Sequence, residues 1–332
     1  MEKENQSTGI ILKKVSKHYG EITAVGNINL DLAPGSLTTL LGPSACGKTT
    51  LLRLISGLEL PTSGRIFFND RDVSKLSATE RDVGMVFQAY ALFPHMNVGA
   101  NVGYGLMVQK VHEEEKKERV AEALARINLS GYEDRYPDEL SGGQQQRVAV
   151  ARALILKPQV LLFDEPLSNI DSKLRRVMRE DIRRLQQETG ITSVYVTHDQ
   201  SEALAVSDEV VVMSDGTIEQ QGSPRNLYRR PNSEFVADFM GEANILPATL
   251  NMESDTPVVI LDEYAISLKS EDAAGIPSGP VKVAVRPEMI SLHRQPPATG
   301  SSLACKVTWG AYMGPVSEYM VETAVGKIFA IV

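Results

Sequence analysis

The sequence is short of cysteine, of uninterrupted apolar runs and of net positive charge, and each shortage removes a class of protein. Its two cysteines, Cys46 and Cys305, stand far apart in no metal-like spacing, so neither a disulfide framework nor a zinc site is indicated. The opening segment, MEKENQSTG, lacks the apolar core of a secretory signal. The most apolar stretch, Val148 to Phe163, is interrupted by Arg152, Lys157, Pro158 and Gln159 and is too polar to cross a bilayer. A soluble, cytoplasmic chain is expected. Lysine and arginine number 34 against 42 aspartates and glutamates, a formal net charge of −8. That balance is the reverse of what a sequence-blind nucleic-acid binder needs, so nucleic acid is not an expected partner. What is present is 332 residues, 42% hydrophobic and 23% charged, enough for about two domains with real cores.

The first two thirds alternate strand-like runs with amphipathic helical patterns, which predicts an α/β layered domain. Ser36 to Leu41 reads as a strand, and the segment from Gly47 as a helix burying Leu51, Leu52, Leu54 and Ile55. Lys116 to Asn128 places Val120, Leu124 and Ile127 on one helical stripe. Val160 to Phe163, bounded by Pro158 and Pro166, suits a central parallel strand. Lys173 to Glu188 predicts a charged helix with Leu174, Val177, Met178, Ile182 and Leu185 inward, and Ser193 to Thr197 and Glu209 to Met213 are further strands. After Gly241 prolines multiply and short β-type runs take over, at Val281 to Val285, Leu303 to Trp309, Val316 to Val321 and Lys327 to Val332. A small all-β domain is expected there, with the boundary near Gly241.

Three motifs carry chemistry. Gly42, Pro43, Ser44, Ala45, Cys46, Gly47, Lys48 and Thr49 satisfy G-x-x-x-x-G-K-[ST] between a strand and a helix. In that context successive N–H groups and the helix start form a phosphate cradle. Lys48 would reach the terminal phosphates and the Thr49 hydroxyl would ligate Mg2+. Ala45 stands where glycine is frequent and fits if its φ is negative. Cys46, beside Lys48 and a helix start, is a thiol whose alkylation would block nucleotide binding, or simply a small residue filling space. VLLFDEP sets Asp164 and Glu165 at the end of an apolar strand: Asp164 to hold Mg2+ through water, Glu165 to polarise the attacking water, or the pair merely to cap a helix. LSGGQQQR, from Leu140 to Arg147, opens a helix at Ser141, Gly142 and Gly143, giving a second anion-binding helix start or an ordinary N-cap.

Taken together, the motifs resemble those of the ATP-binding subunit of ABC transporters, over about residues 10–241. The resemblance implies a P-loop ABC ATPase domain with a helical subdomain at about 89–158, and it adds residues to the site. Gln88, in VFQAYALFPHM, resembles the glutamine that senses Mg2+ and water. His198, in YVTHDQSEA, resembles the histidine that contacts the γ-phosphate. Tyr19, in KHYG, resembles the aromatic residue stacked on adenine. Asp171, in LSNIDSKL, resembles the aspartate of the loop after the catalytic strand, with Ile170 where leucine is usual. Arg135 stands at the spacing of a residue that touches the partner's nucleotide, and Thr50 and Gln144 complete the nucleotide-binding set. The implied mechanism pairs two copies head to tail, with Lys48 and Gln88 of one and Ser141 and Gly143 of the other on one ATP.

The resemblance also implies integral-membrane permease subunits, a solute-binding protein acting through them, and a place on the inner face of a bacterial cell membrane. VAVRPEMISL, at Val283 to Leu292, resembles the OB-like, TOBE-type regulatory domain of importer ATPases, implying residues 242–332 for that domain. SVYVTHDQSEALAVSD, SEFVADFMGEANILPATL and WGAYMGP are most similar to ferric-iron import ATPases, with 2-aminoethylphosphonate, polyamine or sugar import as alternatives. Relatives continue beyond KIFAIV, so the β-domain is expected to be incomplete at Val332. A DNA-repair or translation ATPase is the alternative of another class. The first would carry a long coiled coil between its motifs and the second two cassettes, and this chain shows neither pattern.

Overall fold

A computed structural model describes residues 7–252, 256–262, 264–269, 273–297 and 302–332. The polar N-terminal segment through Gln6 lies outside the described residues. The chain divides into two compact units between Asn226 and Leu227, so the change in composition near Gly241 falls within the second.

The first unit is built on two sheets. Antiparallel strands β1 (Ile10–Tyr19), β2 (Ile22–Leu32), β4 (Ser63–Phe68) and β5 (Arg71–Asp72) make one, in the order β2-β1-β4-β5. The other has six strands in the order β10-β9-β3-β8-β7-β6: β3 (Leu37–Leu41), β6 (Val83–Val86), β7 (Val160–Asp164), β8 (Thr192–Thr197), β9 (Glu209–Ser214) and β10 (Thr217–Gly222). All but the β9–β10 pair are parallel. Parallel strands are covered on both faces and read as continuous apolar runs. Accordingly every residue of β3 and β8 is buried, as are Val160 to Phe163 of β7.

Helices fill the connections: α1 (Lys48–Ser56), α2 (Val98–Val108), α3 (Glu113–Arg126), α4 (Gly142–Leu154), α5 (Ser172–Thr189) and α6 (Gln200–Val206). The three between β6 and β7 bury Val98, Val102, Leu106, Val120, Leu124 and Val148 in a shared core. In α5 the inward stripe is Met178, Ile182 and Leu185, and the expected Val177 instead points outward at 38% exposure, one position off the stripe's phase. The helix after the phosphate-loop motif is fixed at its far end by Arg81. This buried guanidinium donates to the carbonyls of Leu54 and Ile55, satisfying groups that a helix C-terminus leaves unpaired. Burial pulls its pKa down to about 10, and it stays charged at neutral pH.

The second unit begins within α7 (Pro224–Arg229), continues through α8 (Glu234–Phe239), and is otherwise all β. β11 (Asn244–Asn251), β12 (Val258–Leu261), β13 (Tyr264–Ser267) and β14 (Gly279–Val285) form one antiparallel sheet. β15 (Cys305–Tyr312), β16 (Ser317–Thr323) and β17 (Gly326–Ile331) form another. Asn244 sews them together: its amide donates to Val285 O and Phe329 O, at 3.2 and 2.8 Å, and its Oδ1 accepts from Phe329 N at 2.7 Å. Among the described residues no helix is long and apolar enough to cross a membrane.

Candidate functional site

Four neighbouring parallel strands deliver the site. In register, Leu41 of β3 faces Thr197 of β8, Val196 faces Asp164 of β7, and Phe163 faces Val86 of β6. The loops leaving these strands therefore emerge side by side at one edge of the sheet. They carry Gly42–Thr49, His198, Asp164 with Glu165, and Gln88, the arrangement by which α/β sheets gather ligand-binding groups at strand C-termini.

The phosphate-loop motif is shaped by close approaches. A Cβ on Gly42 would lie 2.3 Å from Met213 O and 2.7 Å from Cys46 Sγ. Gly47, at φ 99°, is the residue before α1, and a Cβ there would lie 2.4 Å from Ala24 O. Ala45 departs from expectation: its φ is +63°, a left-handed conformation that glycine adopts more readily than alanine. Lys48, only 5% exposed, donates from Nζ to Gly42 O at 2.8 Å and Pro43 O at 2.6 Å, and lies 3.5 Å from Cys46 Sγ. Cys46 itself is buried, so its thiol is shielded by the loop it belongs to.

On the facing strand end, Thr49 Oγ1 donates to Asp164 Oδ1 at 3.4 Å. Burial, and then the neighbouring Glu165 charge, raise the Asp164 pKa, against smaller opposing effects of Arg53 and the Thr49 hydrogen bond. Glu165 has a left-handed φ of 45°, an uncommon conformation for a non-glycine residue that is found where function demands it. Its N–H is held by Val196 O at 3.0 Å, and its Oε2 lies 3.4 Å from His198 Nδ1. Thr49 and Asp164, held together by their hydrogen bond, are hard oxygen donors of the kind that suits Mg2+. Among the described residues no cluster of three or more His, Cys, Asp or Glu could hold a metal alone. A cation here would need phosphate oxygens as well.

Other expected residues are placed differently. Tyr19 is exposed at the end of β1, its ring under Lys17 Nζ at 5.0 Å and its hydroxyl bonded to Glu59. Ser141 caps α4 and forms a reciprocal box with Gln144, whose Oε1 accepts from Ser141 N at 2.9 Å. Gly143 packs on Leu174, where a Cβ would come within 2.8 Å of Leu174 Cδ2. Arg135 stacks on Tyr132 at 4.1 Å. Asp171 caps α5 through Leu174 N at 3.0 Å. Among the described residues no hydrogen bond or ion pair joins Ser141–Gln144, Tyr19 or Arg135 to Gly42–Thr50 of the same chain.

Several residues that tie these loops together carry no sequence signal. Asn169 Nδ2 donates to Gln88 O at 3.2 Å, and Ser168 Oγ donates to Glu165 O at 3.0 Å. Arg152, on α4, donates to Tyr90 O and Ala91 O, pinning two successive residues of positive φ just after Gln88. Their partners are backbone carbonyls distant in sequence, which no residue pattern announces.

The ABC transporter family matches residues 25–168, and the TOBE domain family matches residues 283–332. An Fe(3+) ions import ATP-binding protein of Vibrio cholerae is 52% identical over 97% of this chain and 89% of its own length. One from Rhizobium meliloti is 51% identical over 97% of this chain and 90% of its own. Among solved structures, a dimeric ATP-binding cassette in a post-hydrolysis state with ADP and Pi has a TM-score of 0.58 at 34% identity, covering 65% of this chain and 99% of its own. A cassette from Clostridium perfringens, part of the cbiONQ ABC transporter complex, has a TM-score of 0.62 at 30% identity, covering 67% and 90%. The chain belongs to the ATP-binding subunits of ABC transporters. It binds ATP and couples its hydrolysis to transport.

Proposed function

We propose that this chain energises import of ferric iron, hydrolysing ATP at the sheet edge described above while separate permease subunits carry the cargo. The observation that supports the site most directly is the register of β3, β8, β7 and β6, whose C-terminal ends adjoin and lead into the segments that carry Lys48, Thr49, His198, Asp164, Glu165 and Gln88. The iron reading is supported by relatives about half identical over nearly the whole chain.

The loop Gly42–Thr50 wraps the phosphates through its N–H groups and the start of α1. Lys48 exchanges the Gly42 and Pro43 carbonyls for phosphate oxygens, and Tyr19 offers its ring to the base. Thr49, Asp164 and Gln88 would hold Mg2+, which supplies charge neutralisation of the phosphates. Glu165 accepts the proton of the attacking water, and His198, within reach of Glu165, donates toward the γ-phosphate. Among the described residues, Ser141 to Gln144 at the start of α4 make no hydrogen bond to Gly42–Thr50 of their own chain. They serve the nucleotide of a second copy, with Arg135 and Asp171 at the same junction. The assembly sits on the inner face of the cell membrane, served from outside by a solute-binding protein.

Two measurements test this. Purified chain with E165Q and ATP should elute as a dimer, and a monomer at saturating Mg-ATP overturns the paired reading. Cells lacking the chain should lose uptake of radiolabelled ferric iron and regain it with the intact gene. Unchanged iron uptake with loss of phosphonate, polyamine or sugar uptake overturns the cargo.

A further inference from the structure

Behind His198 and Glu165 lies a network that the hydrolytic reading does not use. Its centre is Arg175, in the first turn of α5. Nη2 donates to Ile170 O at 3.1 Å, Nη1 donates to Asp199 Oδ2 at 3.3 Å, and Nε lies 3.6 Å from Glu202 Oε1. Glu202 is buried and accepts from Thr197 Oγ1 at 2.8 Å and Tyr195 OH at 3.1 Å, while Asp199 N donates to Thr197 Oγ1 at 3.0 Å. The residues on both sides of His198 are thus fastened to one ion cluster. The opposite edge of the same guanidinium holds the loop that follows Glu165. A cavity of about 40 Å3 separates the parts, walled by Glu165, Ser168, Arg175, Thr197, His198 and Glu202.

We propose that Arg175 is a positioning residue that joins the Ser168–Asp171 loop to the loop bearing His198, and so fixes His198 and Glu165 relative to each other. A guanidinium suits this task because its planar fork donates to Ile170 O and Asp199 Oδ2 in different directions while its charge faces Glu202, which an ammonium on a flexible stem does not do. Arg175 acts through Ile170 on one side and Asp199 and Glu202 on the other. The 3.4 Å approach of His198 Nδ1 to Glu165 Oε2 is the geometry it maintains. This inference rests on hydrolysis taking place at Glu165 and His198.

In the purified full chain, Arg175→Met should lower kcat for ATP hydrolysis about 10- to 100-fold, the effect of misplacing reacting groups by about 1 Å. KM for ATP should stay within about twofold, because the phosphate loop and Tyr19 are untouched. Arg175→Lys, which keeps the charge but not the fork, should recover part of the lost kcat. Asp199→Asn should reduce kcat alone and add little in the Arg175→Met background, the signature of residues acting as one unit. A kcat within about twofold of wild type for Arg175→Met, or losses that multiply independently, overturns the proposal. If Arg175→Met does not fold, Arg175→Lys decides: lower kcat at unchanged KM upholds the coupling, and unchanged kcat refutes it. A wild-type chain without ATPase activity would instead remove the hydrolytic reading itself.

Discussion

The two units handle the same structural material, β-strands, in opposite ways. In the six-stranded sheet of the first, all strands but β10 run parallel, β3 and β8 are buried along their whole length, and the loops after β3, β8, β7 and β6 share one edge. In the second, strands are antiparallel and largely one-sided, as the alternation along β14 shows, and β15 is exposed along almost its whole length. Parallel order concentrates loop ends, and with them convergent polar groups. Antiparallel order spreads side chains over surfaces, here with Trp309 and Tyr312 outward at 51% and 80% exposure. The difference teaches where chemistry can be built: the first unit can surround a reacting phosphate, and the second offers faces to touch.

That contrast can be broken most decisively at Glu165. E165Q should lower ATP turnover about 10²- to 10⁴-fold, the usual contribution of a general base, while Trp309→Ser in the second unit leaves turnover of the purified chain unchanged. Steady-state phosphate release measures both, and equal losses would erase the distinction. Next in size, Tyr19→Ala should weaken ATP binding by about 1–3 kcal/mol with little change in kcat, measured by titration of a fluorescent ATP analogue. In the second unit, Asn244→Ala strips the tie between its sheets and leaves buried backbone groups unpaired. A loss of about 1–3 kcal/mol in that unit's denaturant unfolding is expected, with ATP binding intact.

The smallest effect sharpens the comparison through pH. Asp164 has a raised pKa, so its ionisation is disfavoured in the folded state. By linkage, its contribution favours folding below its unfolded pKa and is lost as pH rises through the folded value. Asp164→Asn should therefore raise the nucleotide-free Tm by a few degrees at pH 7, with the gain shrinking toward pH 4, while hydrolysis is lost. A lower Tm at pH 7 would mean that burial is not the dominant influence on this carboxyl.

Legibility in the sequence followed burial. β3, β7 and β8 announced themselves as apolar runs, the phosphate loop and the Asp164–Glu165 pair fell where β3 and β7 end, and LSGGQ opened α4. β1 and β2 were not legible. Their alternation is broken by register shifts between Leu12, Val15, Lys17 and His18, so no steady period of two survives. The members of the site with distinctive residue types in distinctive spacing were recognisable. Arg175, Asn169 and Arg152 were not, since an arginine on a charged helix or an asparagine in a loop reads as solvated until its distant carbonyl partner is seen. Val177 shows the limit of helical patterning: three residues of the stripe fix the phase, and a neighbour one step away turns outward.

Ala45 has a consequence of its own. A methyl group at φ +63° holds the loop in a shape that alanine resists in an unfolded chain, so the surrounding contacts must bear a mismatch of about 1–2 kcal/mol. Glycine at the same place would relax that tension but would widen the range of shapes the free segment explores. Because φ is positive, that strain outweighs what the methyl saves by restricting the unfolded chain, and the cradle depends on its neighbours to hold its shape.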